Sequence, residues 1–213
     1  MLVGDIISGK VITINIKDDV KKAFELMKSK KIRHIPVLDG GKLVGIITNT
    51  DLRQVLIPSK SEGAEQTYYF TSKFSTVGEI MTKGTITVTP QTDVEEAATL
   101  LQHYKIGGLP VVEGDKLVGM ITGTDILKVF IEIMGVIKYS SRVDVALGED
   151  AEAFQNVSKI IRENGAEIIS VGMSPHEGKE KRVYYFRLDT DDINPIAKAI
   201  EDNGYVVVSV VSG

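Results

Sequence analysis

Two segments of the chain carry the pattern Thr-x-Thr-Asp, whose residue types suit the binding of a phosphorylated sugar. The first segment ends at Asp51 and the second at Asp125. One carboxylate can accept hydrogen bonds from two adjacent sugar hydroxyls, and each bond to a charged acceptor contributes roughly 1.5–3 kcal/mol. Threonine hydroxyls and the free N–H groups of a helix's first turn suit a phosphate group. The candidate threonines are Thr48, Thr50, Thr122 and Thr124.

The same residues also have a purely structural interpretation, because aspartate and threonine are common where helices begin. As N-caps, Asp51 and Asp125 would each stabilise a helix by ~1 kcal/mol and bind nothing. The hydroxyls of Thr48 and Thr122 would then satisfy only backbone groups at a strand end. We favour ligand binding, because the pattern recurs at equivalent positions of a repeated motif.

An internal repeat positions the two patterns. Residues 4–57 align with residues 78–131 at a constant offset of 74 positions, with 23 identities in 54 positions and no gap. Each copy predicts the element order β-α-β-β-α, with a tight hairpin at Gly40-Gly41 or Gly114-Asp115. A single unit of roughly 55 residues is marginally stable, so the two copies are expected to form one body. The first strands and second helices are predicted at Val11–Ile14, Thr85–Val88, Leu52–Ile57 and Ile126–Ile133.

Residues 140–213 carry a different pattern, β-α-β-β-α-β, which is the split βαβ or ferredoxin-like arrangement. Asp150 is the predicted cap of its first helix, and Pro195 lies in the first turn of its second helix, where proline is tolerated. Such a sheet leaves an exposed edge, and β edges commonly pair with another subunit. The predicted fold class is α+β, with repeats at 1–57 and 77–137, a connector at 58–76 and a further domain at 140–213.

The repeated Ile/Leu-Pro-Val run, the glycine hairpin and the Gly-Ile/Met-Ile-Thr-x-Thr-Asp segment resemble the cystathionine β-synthase (CBS) domain. Two in tandem resemble the CBS pair, or Bateman module. The C-terminal domain resembles an ACT domain, although Leu147–Ala151 lacks the usual proline of the loop after the first strand. The domain order is similar to that of acetoin-utilisation proteins of the AcuB type. The resemblance implies a regulatory protein that binds adenine nucleotides or adenosyl compounds and catalyses nothing.

The resemblance also implies which residues hold the ligand. In CBS pairs the adenine lies between apolar residues of the opposite repeat, although such residues are more often core than pocket. The first site is predicted to comprise Arg33, His34, Thr48, Thr50, Asp51, Met81, Ile86 and Ile106. The second site is predicted to comprise Ile7, Ile12, Ile32, Gly107, Gly108, Thr122, Thr124 and Asp125.

The two predicted sites differ in charge. Arg33-His34 precedes the Ile-Pro-Val run of the first repeat, and Gly107-Gly108 stands there in the second. We therefore expect the Asp51 cleft to take the phosphorylated ligand. The Asp125 cleft is expected to take a nucleoside-like ligand, a weakly held nucleotide or nothing. The alternative is that Arg33 and His34 are only cations at the end of a helix, where they are favourable without any ligand.

Composition narrows the function classes. The chain has 213 residues, no cysteine, three histidines and a formal net charge of −4. These features argue against thiolate chemistry, a metal site and nucleic-acid binding, and no apolar stretch approaches the ~18 residues of a membrane span. We expect a cytoplasmic, non-enzymatic sensor that requires no cofactor and forms a homodimer, with AMP, ADP, ATP or S-adenosylmethionine as ligand. The alternative functions are a ligand-free adaptor for a partner enzyme and an enzyme with a spatially assembled site.

Several points stay open in the sequence. Tyr68-Tyr69-Phe70 in the connector is interpreted either as an aromatic anchor or as a lid over a ligand cleft. The C-terminal domain either holds a small ligand such as an amino acid near Leu147–Ala151 or serves dimerisation alone. His176 lies in a polar loop beside Glu177, which favours a solvated hairpin over a metal site.

Overall fold

The computed structural model of the chain describes residues 1–7, 10–58, 68–70, 75–136, 140–148, 151–174 and 182–213. The chain forms two compact units, Met1–Ile126 and Leu127–Gly213. Within the described parts, no helix has the length and apolar character needed to cross a membrane. The predictions for Asp150 and His176, and the side chains of the Tyr68–Phe70 cluster, lie outside the described residues.

The first repeat builds a small sheet with a helix packed on it. The helix starts where the Asp19 carboxylate accepts a hydrogen bond from the Lys21 N–H, and it ends at Lys31, which adopts a left-handed conformation with φ 53°. Its buried residues recur every three or four positions and face the core. The elements are β1 Ile14–Asn15, α1 Val20–Lys30, β2 His34–Asp39, β3 Lys42–Thr48 and α2 Asn49–Arg53.

The second repeat follows the same plan. Lys105 ends its first helix with φ 53°, as Lys31 does in the first repeat, and Gly114 supplies the positive φ of the hairpin turn. The intervening elements are β4 Leu56–Pro58, β5 Tyr68–Phe70, α3 Val77–Ile80 and β6 Thr82–Lys83. The repeat itself contributes α4 Val94–Tyr104, β7 Gly108–Glu113, β8 Lys116–Thr122 and α5 Gly123–Ile133.

Four predicted elements have other bounds in the structure. The strand predicted at Val11–Ile14 is β1 at Ile14–Asn15, and the helix predicted at Ile126–Ile133 is α5, which starts at Gly123. The helix predicted at Leu52–Ile57 is α2, which starts three residues earlier because Thr48 caps it and which stops before β4. The strand predicted at Thr85–Val88 is reduced to a single bridge between Val88 and Val111. The start of α2 is set by its local cap at Thr48, whereas the reduced strand at Val88 reflects tertiary pairing, which local periodicity does not report.

The repeats exchange the segments that precede them. The Val77 N–H donates to the Asp18 carbonyl (2.8 Å) of the first repeat, and the Val3 N–H donates to the Thr92 carbonyl (2.9 Å) of the second. These bonds are equivalent, since both partners are offset by 74 positions. β6 then joins the first repeat's sheet, whose order is β1-β2-β3-β6. The segment before each repeat therefore completes the other repeat.

This exchange predicts that a residue near the start of the chain stabilises the second repeat. Val3 is fully buried in the core of that repeat. Val3→Ala is expected to lower the free energy of unfolding by about 2 kcal/mol, because each buried methyl is worth ~0.8 kcal/mol and a cavity adds to the loss. Urea denaturation measures the change. The neighbouring Leu2→Ala is the control, since Leu2 is 40% exposed, and an equal loss in both variants would contradict the exchange.

The C-terminal unit has the predicted order β-α-β-β-α-β. Its four strands pair in the order β10-β11-β9-β12, so β10 and β12 are the two edges of an antiparallel sheet. The two helices pack on one face of this sheet, around the fully buried Phe186 and Ile200. The elements are β9 Ser141–Ala146, α6 Ala151–Glu163, β10 Glu167–Ser174, β11 Val183–Asp189, α7 Asn194–Asp202 and β12 Val206–Val211.

Candidate ligand-binding site

The first candidate site is built where β3 ends and α2 begins. The backbone N–H and the hydroxyl of Thr48 both donate to Asp51 Oδ2, each at 2.7 Å. In return, the Asp51 N–H donates to Thr48 Oγ1 at 3.4 Å. This reciprocal pattern is a capping box, in which Thr48 is the N-cap and Asp51 is the third helical residue. The structural interpretation of Asp51 as the N-cap is therefore replaced by a different capping role.

The second repeat reproduces this geometry at the start of α5. Asp125 Oδ2 accepts from the Thr122 N–H at 2.8 Å and from its hydroxyl at 2.6 Å, and the Asp125 N–H donates to Thr122 Oγ1 at 3.4 Å. Asp51 is 9% exposed and Asp125 is partly exposed. The two aspartates therefore make the same hydrogen bonds, but Asp51 is more deeply buried than Asp125.

Capping uses only half of each carboxylate. A carboxylate offers about four lone-pair sites, two on each oxygen. Two donors occupy Oδ2, whereas Oδ1 of Asp51 and of Asp125 accepts no hydrogen bond from the described residues. The free oxygen can accept two further bonds, which is the number that two adjacent sugar hydroxyls supply. Capping and ligand binding are thus compatible in the same side chain.

The threonines divide into two kinds. The hydroxyl protons of Thr48 and Thr122 are directed to the aspartates, so these hydroxyls cannot donate to a phosphate in this arrangement. Thr50 and Thr124 lie one residue before each aspartate and are exposed. Of the threonines predicted to contact phosphate, the exposed pair is the one with hydroxyls available.

The exchanged segments reach the strands that lead to both sites. A Cβ placed on Gly45 in β3 would lie 2.8 Å from Met81 Sδ, and a Cβ placed on the equivalent Gly119 in β8 would lie 2.5 Å from Ile7 Cδ1. Met81 and Ile7 therefore occupy matching places, each beside the strand that ends in the threonine of its predicted site.

The other predicted apolar residues lie mainly in the cores. Ile32 packs against the first repeat's core, and Ile86 and Ile106 pack against the second repeat's core. Ile12 is half-buried. The assignment of these four residues to an adenine pocket stays a prediction.

The two basic residues of the first repeat, Arg33 and His34, have different surroundings. Arg33 is exposed, and its carbonyl accepts a hydrogen bond from the Asn49 N–H (3.2 Å) at the start of α2. The His34 imidazole instead lies against the second repeat, where a Cβ placed on Gly107 would be only 2.5 Å from Nε2. The sequence analysis did not predict this contact. The available signal was that Gly107-Gly108 stands in the second repeat where Arg33-His34 stands in the first.

His34 is half-buried, and two effects make its protonation unfavourable. Burial lowers the pKa of the imidazole, and the neighbouring Arg33 guanidinium lowers it further, whereas the Asp51 carboxylate acts in the opposite direction. The net shift is downward, so the imidazole is neutral at pH 7. Within the described residues there is no group of three or more His, Asp or Glu side chains that could hold a metal ion.

The profile of the CBS domain matches residues 3–58 and 77–132, which are more than half of the chain and coincide with the two repeats. The chain belongs to the CBS-domain family. Both capping boxes of this CBS-domain pair therefore lie inside the matched segments, and residues 140–213 lie outside them.

Relatives of this CBS-domain protein include both enzymes and small proteins. Inosine-5′-monophosphate dehydrogenase of Korarchaeum cryptofilum is 37% identical over 54% of the chain, but the match spans only 21% of the enzyme. A CBS domain-containing protein of Dictyostelium discoideum is 31% identical over 63% of the chain and 94% of its own length. The chain thus spans about a fifth of the enzyme's length but nearly the whole of the smaller relative.

Solved structures resemble the same CBS-domain part. A CBS-domain pair in complex with 5′-methylthioadenosine and S-adenosyl-L-methionine is 32% identical, with a TM-score of 0.52, over 61% of this chain and 95% of its own. The protein CBSX2 in complex with AMP is 26% identical, with a TM-score of 0.53, over 62% and 97%. A Vibrio cholerae protein assigned to acetoin utilization (AcuB) is 30% identical, with a TM-score of 0.52, over 64% and 94%.

Proposed function

We propose that this protein is a regulatory sensor that binds an adenine nucleotide or an adenosyl compound in the clefts of its CBS pair and catalyses no reaction. The observation that carries the proposal is that Oδ1 of Asp51 and of Asp125 accepts no hydrogen bond from any described residue, while two matching capping boxes hold both carboxylates in place. The candidate ligands are AMP, ADP, ATP and S-adenosylmethionine. Solved relatives of comparable fold bind AMP, 5′-methylthioadenosine and S-adenosyl-L-methionine, which supports this ligand class.

The proposed recognition depends on the ribose. Two hydrogen bonds from adjacent hydroxyls to one carboxylate oxygen are charge-assisted, and each contributes roughly 1.5–3 kcal/mol. The capping box holds the carboxylate in position before the ligand arrives, so little side-chain entropy is lost on binding. Ligand binding can regulate the protein only through different affinities for two of its conformations.

Calorimetric titration with AMP, ADP, ATP and S-adenosylmethionine tests the proposal. The matched control ligand is 2′-deoxy-AMP, which lacks one of the two hydroxyls and is expected to bind about tenfold more weakly than AMP. Absence of binding by all four ligands to folded protein would overturn the proposal. Turnover of any of them by the purified protein would instead support an enzyme.

A second candidate function is that of a structural adaptor, which dimerises through its C-terminal unit and engages a partner enzyme without a ligand. Edge strand β10 and helix α6 line a groove of about 660 Å³, in which Phe154, Ile168 and Val171 lie beside polar and charged side chains of α6. An edge strand with exposed apolar side chains favours pairing with a second copy. This arrangement fits an ACT-like dimerisation domain, in which a small ligand such as an amino acid would lie near Leu147–Ala151.

A charge placed on this edge is expected to separate the dimer. Val171 on β10 is 38% exposed, and Val171→Lys would bring a lysine into the proposed interface, where burial of an unpaired charge is costly. Sedimentation velocity should show conversion to monomer, while the AMP affinity of the CBS pair stays unchanged.

The control for this experiment is Val208→Lys. Val208 is 48% exposed and lies on β12, the opposite edge of the same sheet. If the dimer forms through β10, Val208→Lys is expected to sediment as a dimer, as wild type does. A monomeric wild type, or dissociation by Val208→Lys alone, would contradict it.

A further inference from the structure

The C-terminal sheet carries two arginines on the face that points away from its helices. Arg142 on β9 and Arg187 on β11 are directly paired across the two strands. Their neighbours Val143 and Phe186 are buried against the helices, and successive residues of a strand point to opposite faces, so both arginines project from the other face. Like charges that directly oppose each other destabilise a strand pair, so this pair needs negative charge nearby.

One carboxylate lies between the two guanidinium groups. Asp144 is 4% exposed, and its Oδ1 and Oδ2 lie 2.9 Å and 3.1 Å from Nε and Nη2 of Arg142. Burial raises the pKa of Asp144, although Arg142 and Arg187 act in the opposite direction. The surroundings of these three residues, the arginine cluster, are therefore poorly hydrated. An ion pair is stronger there than at the open surface.

Among the described residues, Arg187 has no carboxylate partner of its own. Its Nη1 donates to the hydroxyl and the carbonyl of Ser140 (3.0 Å and 3.5 Å), and the Ser140 hydroxyl donates onward to the Gly135 carbonyl (3.2 Å). Arg187 Nε is buried without a hydrogen-bond partner. Asp189, two positions along β11, is exposed and forms no ion pair with Arg187. A half-buried guanidinium with neutral partners is costly, so the cluster lacks one negative charge.

The rim of the arginine cluster is open to solvent and partly apolar. The Arg142 side chain is 36% exposed, and its guanidinium lies 5.5 Å from the centre of the Tyr185 ring. Val211 on β12 is paired with Arg142 and is exposed. An aromatic ring and an exposed valine beside a guanidinium without a carboxylate suit an anion that has a short apolar part.

We propose that the arginine cluster binds a small organic carboxylate, which pairs with Arg187 and leaves its hydrocarbon part on the open rim. The planar guanidinium matches a carboxylate, as the contact of Arg142 with Asp144 shows in the same cluster. The site takes acids without an amino group, because Asp144 is engaged with Arg142 and two guanidinium groups repel an ammonium.

This site differs from the small-ligand position expected near Leu147–Ala151. Arg142 lies five residues before Leu147 along the chain, which is roughly 16 Å in a strand. The proposal also does not depend on the adenine clefts. The Asp51→Asn, Asp125→Asn double variant is therefore expected to bind the carboxylate like wild type, so loss of one function leaves the other intact.

The probe is isocaproate, which is leucine without its amino group. In NMR titrations of the full chain at neutral pH and constant ionic strength, the Nε–Hε signal of Arg187 is expected to shift saturably, with a Kd on the order of 1 mM. Leucine is expected to bind at least about tenfold more weakly, and the uncharged isocaproamide should cause no shift. Tighter binding of leucine than of isocaproate would overturn the proposal.

One variant tests whether Arg187 is responsible. Arg187→Gln removes the charge and is expected to weaken isocaproate binding about tenfold or more. The matched control is Arg162→Gln, because Arg162 is exposed on α6 and the net charge changes equally. This control should bind isocaproate like wild type. If Arg187→Gln does not fold, the wild-type titration decides, since the Arg187 signal must shift and the Arg162 signal must not.

Two further outcomes contradict the proposal. Equal binding by wild type and Arg187→Gln, or no saturable shift at Arg187, would mean that this arginine only packs against Gly135, whose Cβ position lies 3.4 Å from Arg187 Cδ. An equal shift with inorganic sulfate at the same concentration would mean that the cluster takes any anion, which would overturn the assignment of an organic carboxylate.

Discussion

Asp51→Asn is expected to weaken AMP binding to the first cleft about 10- to 100-fold. The capping box favours the amide oxygen at the place of Oδ2, because the Thr48 N–H and hydroxyl both donate there. The amide NH₂ group then replaces the free Oδ1 and offers donors where the ribose hydroxyls need an acceptor. Loss of charge-assisted bonds worth roughly 1.5–3 kcal/mol corresponds to that change in affinity. Calorimetric titration measures it.

Two further variants separate recognition from folding. Thr48→Val removes the hydroxyl from the capping box and is expected to cost about 1 kcal/mol of stability, with a smaller change in AMP affinity than Asp51→Asn. Asp39→Asn, at the exposed end of β2, changes the net charge equally and is expected to bind AMP like wild type. Wild-type affinity in an Asp51→Asn, Asp125→Asn double variant would show that the carboxylates only cap their helices.

Gly45→Ala is expected to lower the free energy of unfolding by about 3 kcal/mol, the upper end of the range for overpacked sites. A Cβ at this position would lie 2.6 Å from the Thr82 carbonyl oxygen and 2.8 Å from Met81 Sδ. The carbonyl belongs to β6, which pairs with β3 at Gly45–Lys83, so the backbone of the exchanged segment would have to move. Urea denaturation monitored by circular dichroism measures the loss.

Gly123→Ala is the matched control for the added methyl. A Cβ on Gly123 would meet nothing within 4 Å, and the residue is the first of α5, where alanine favours helix more than glycine does. Its stability is expected to equal or slightly exceed that of wild type. Equal stability of Gly45→Ala and wild type would mean that β6 does not depend on close contact with β3.

Local pattern accounts for most of the element order in both units. The predicted order of the first repeat contains α1, whose buried Val20, Ala23 and Met27 are spaced three and four residues apart, and the predicted hairpin at Gly40-Gly41 joins β2 and β3. The C-terminal order β-α-β-β-α-β was likewise predicted from the sequence, and the structure has the same order of strands and helices. Such features depend on neighbours in the chain, so their signals lie within a few residues.

The Thr-x-Thr-Asp segments were found from residue type and repetition alone, because capping chemistry and sugar recognition need the same short-range arrangement of oxygens. The structure added how the two oxygens differ: Oδ2 caps the helix, and Oδ1 accepts no hydrogen bond from the described residues. The division between Thr48, whose hydroxyl faces Asp51, and the exposed Thr50 also required coordinates.

Features that join distant parts of the chain were decided only by tertiary structure. Val3 and Val77 each bind to the other repeat, and His34 packs against Gly107. These contacts connect residues more than 50 positions apart. No periodicity reports such contacts, because they arise when two repeats bury their apolar faces together and each fills the spaces of the other. The chain's own order of residues determined the two repeats and their aspartates, whereas packing determined which segment completes which repeat and where the half-buried imidazole of His34 lies.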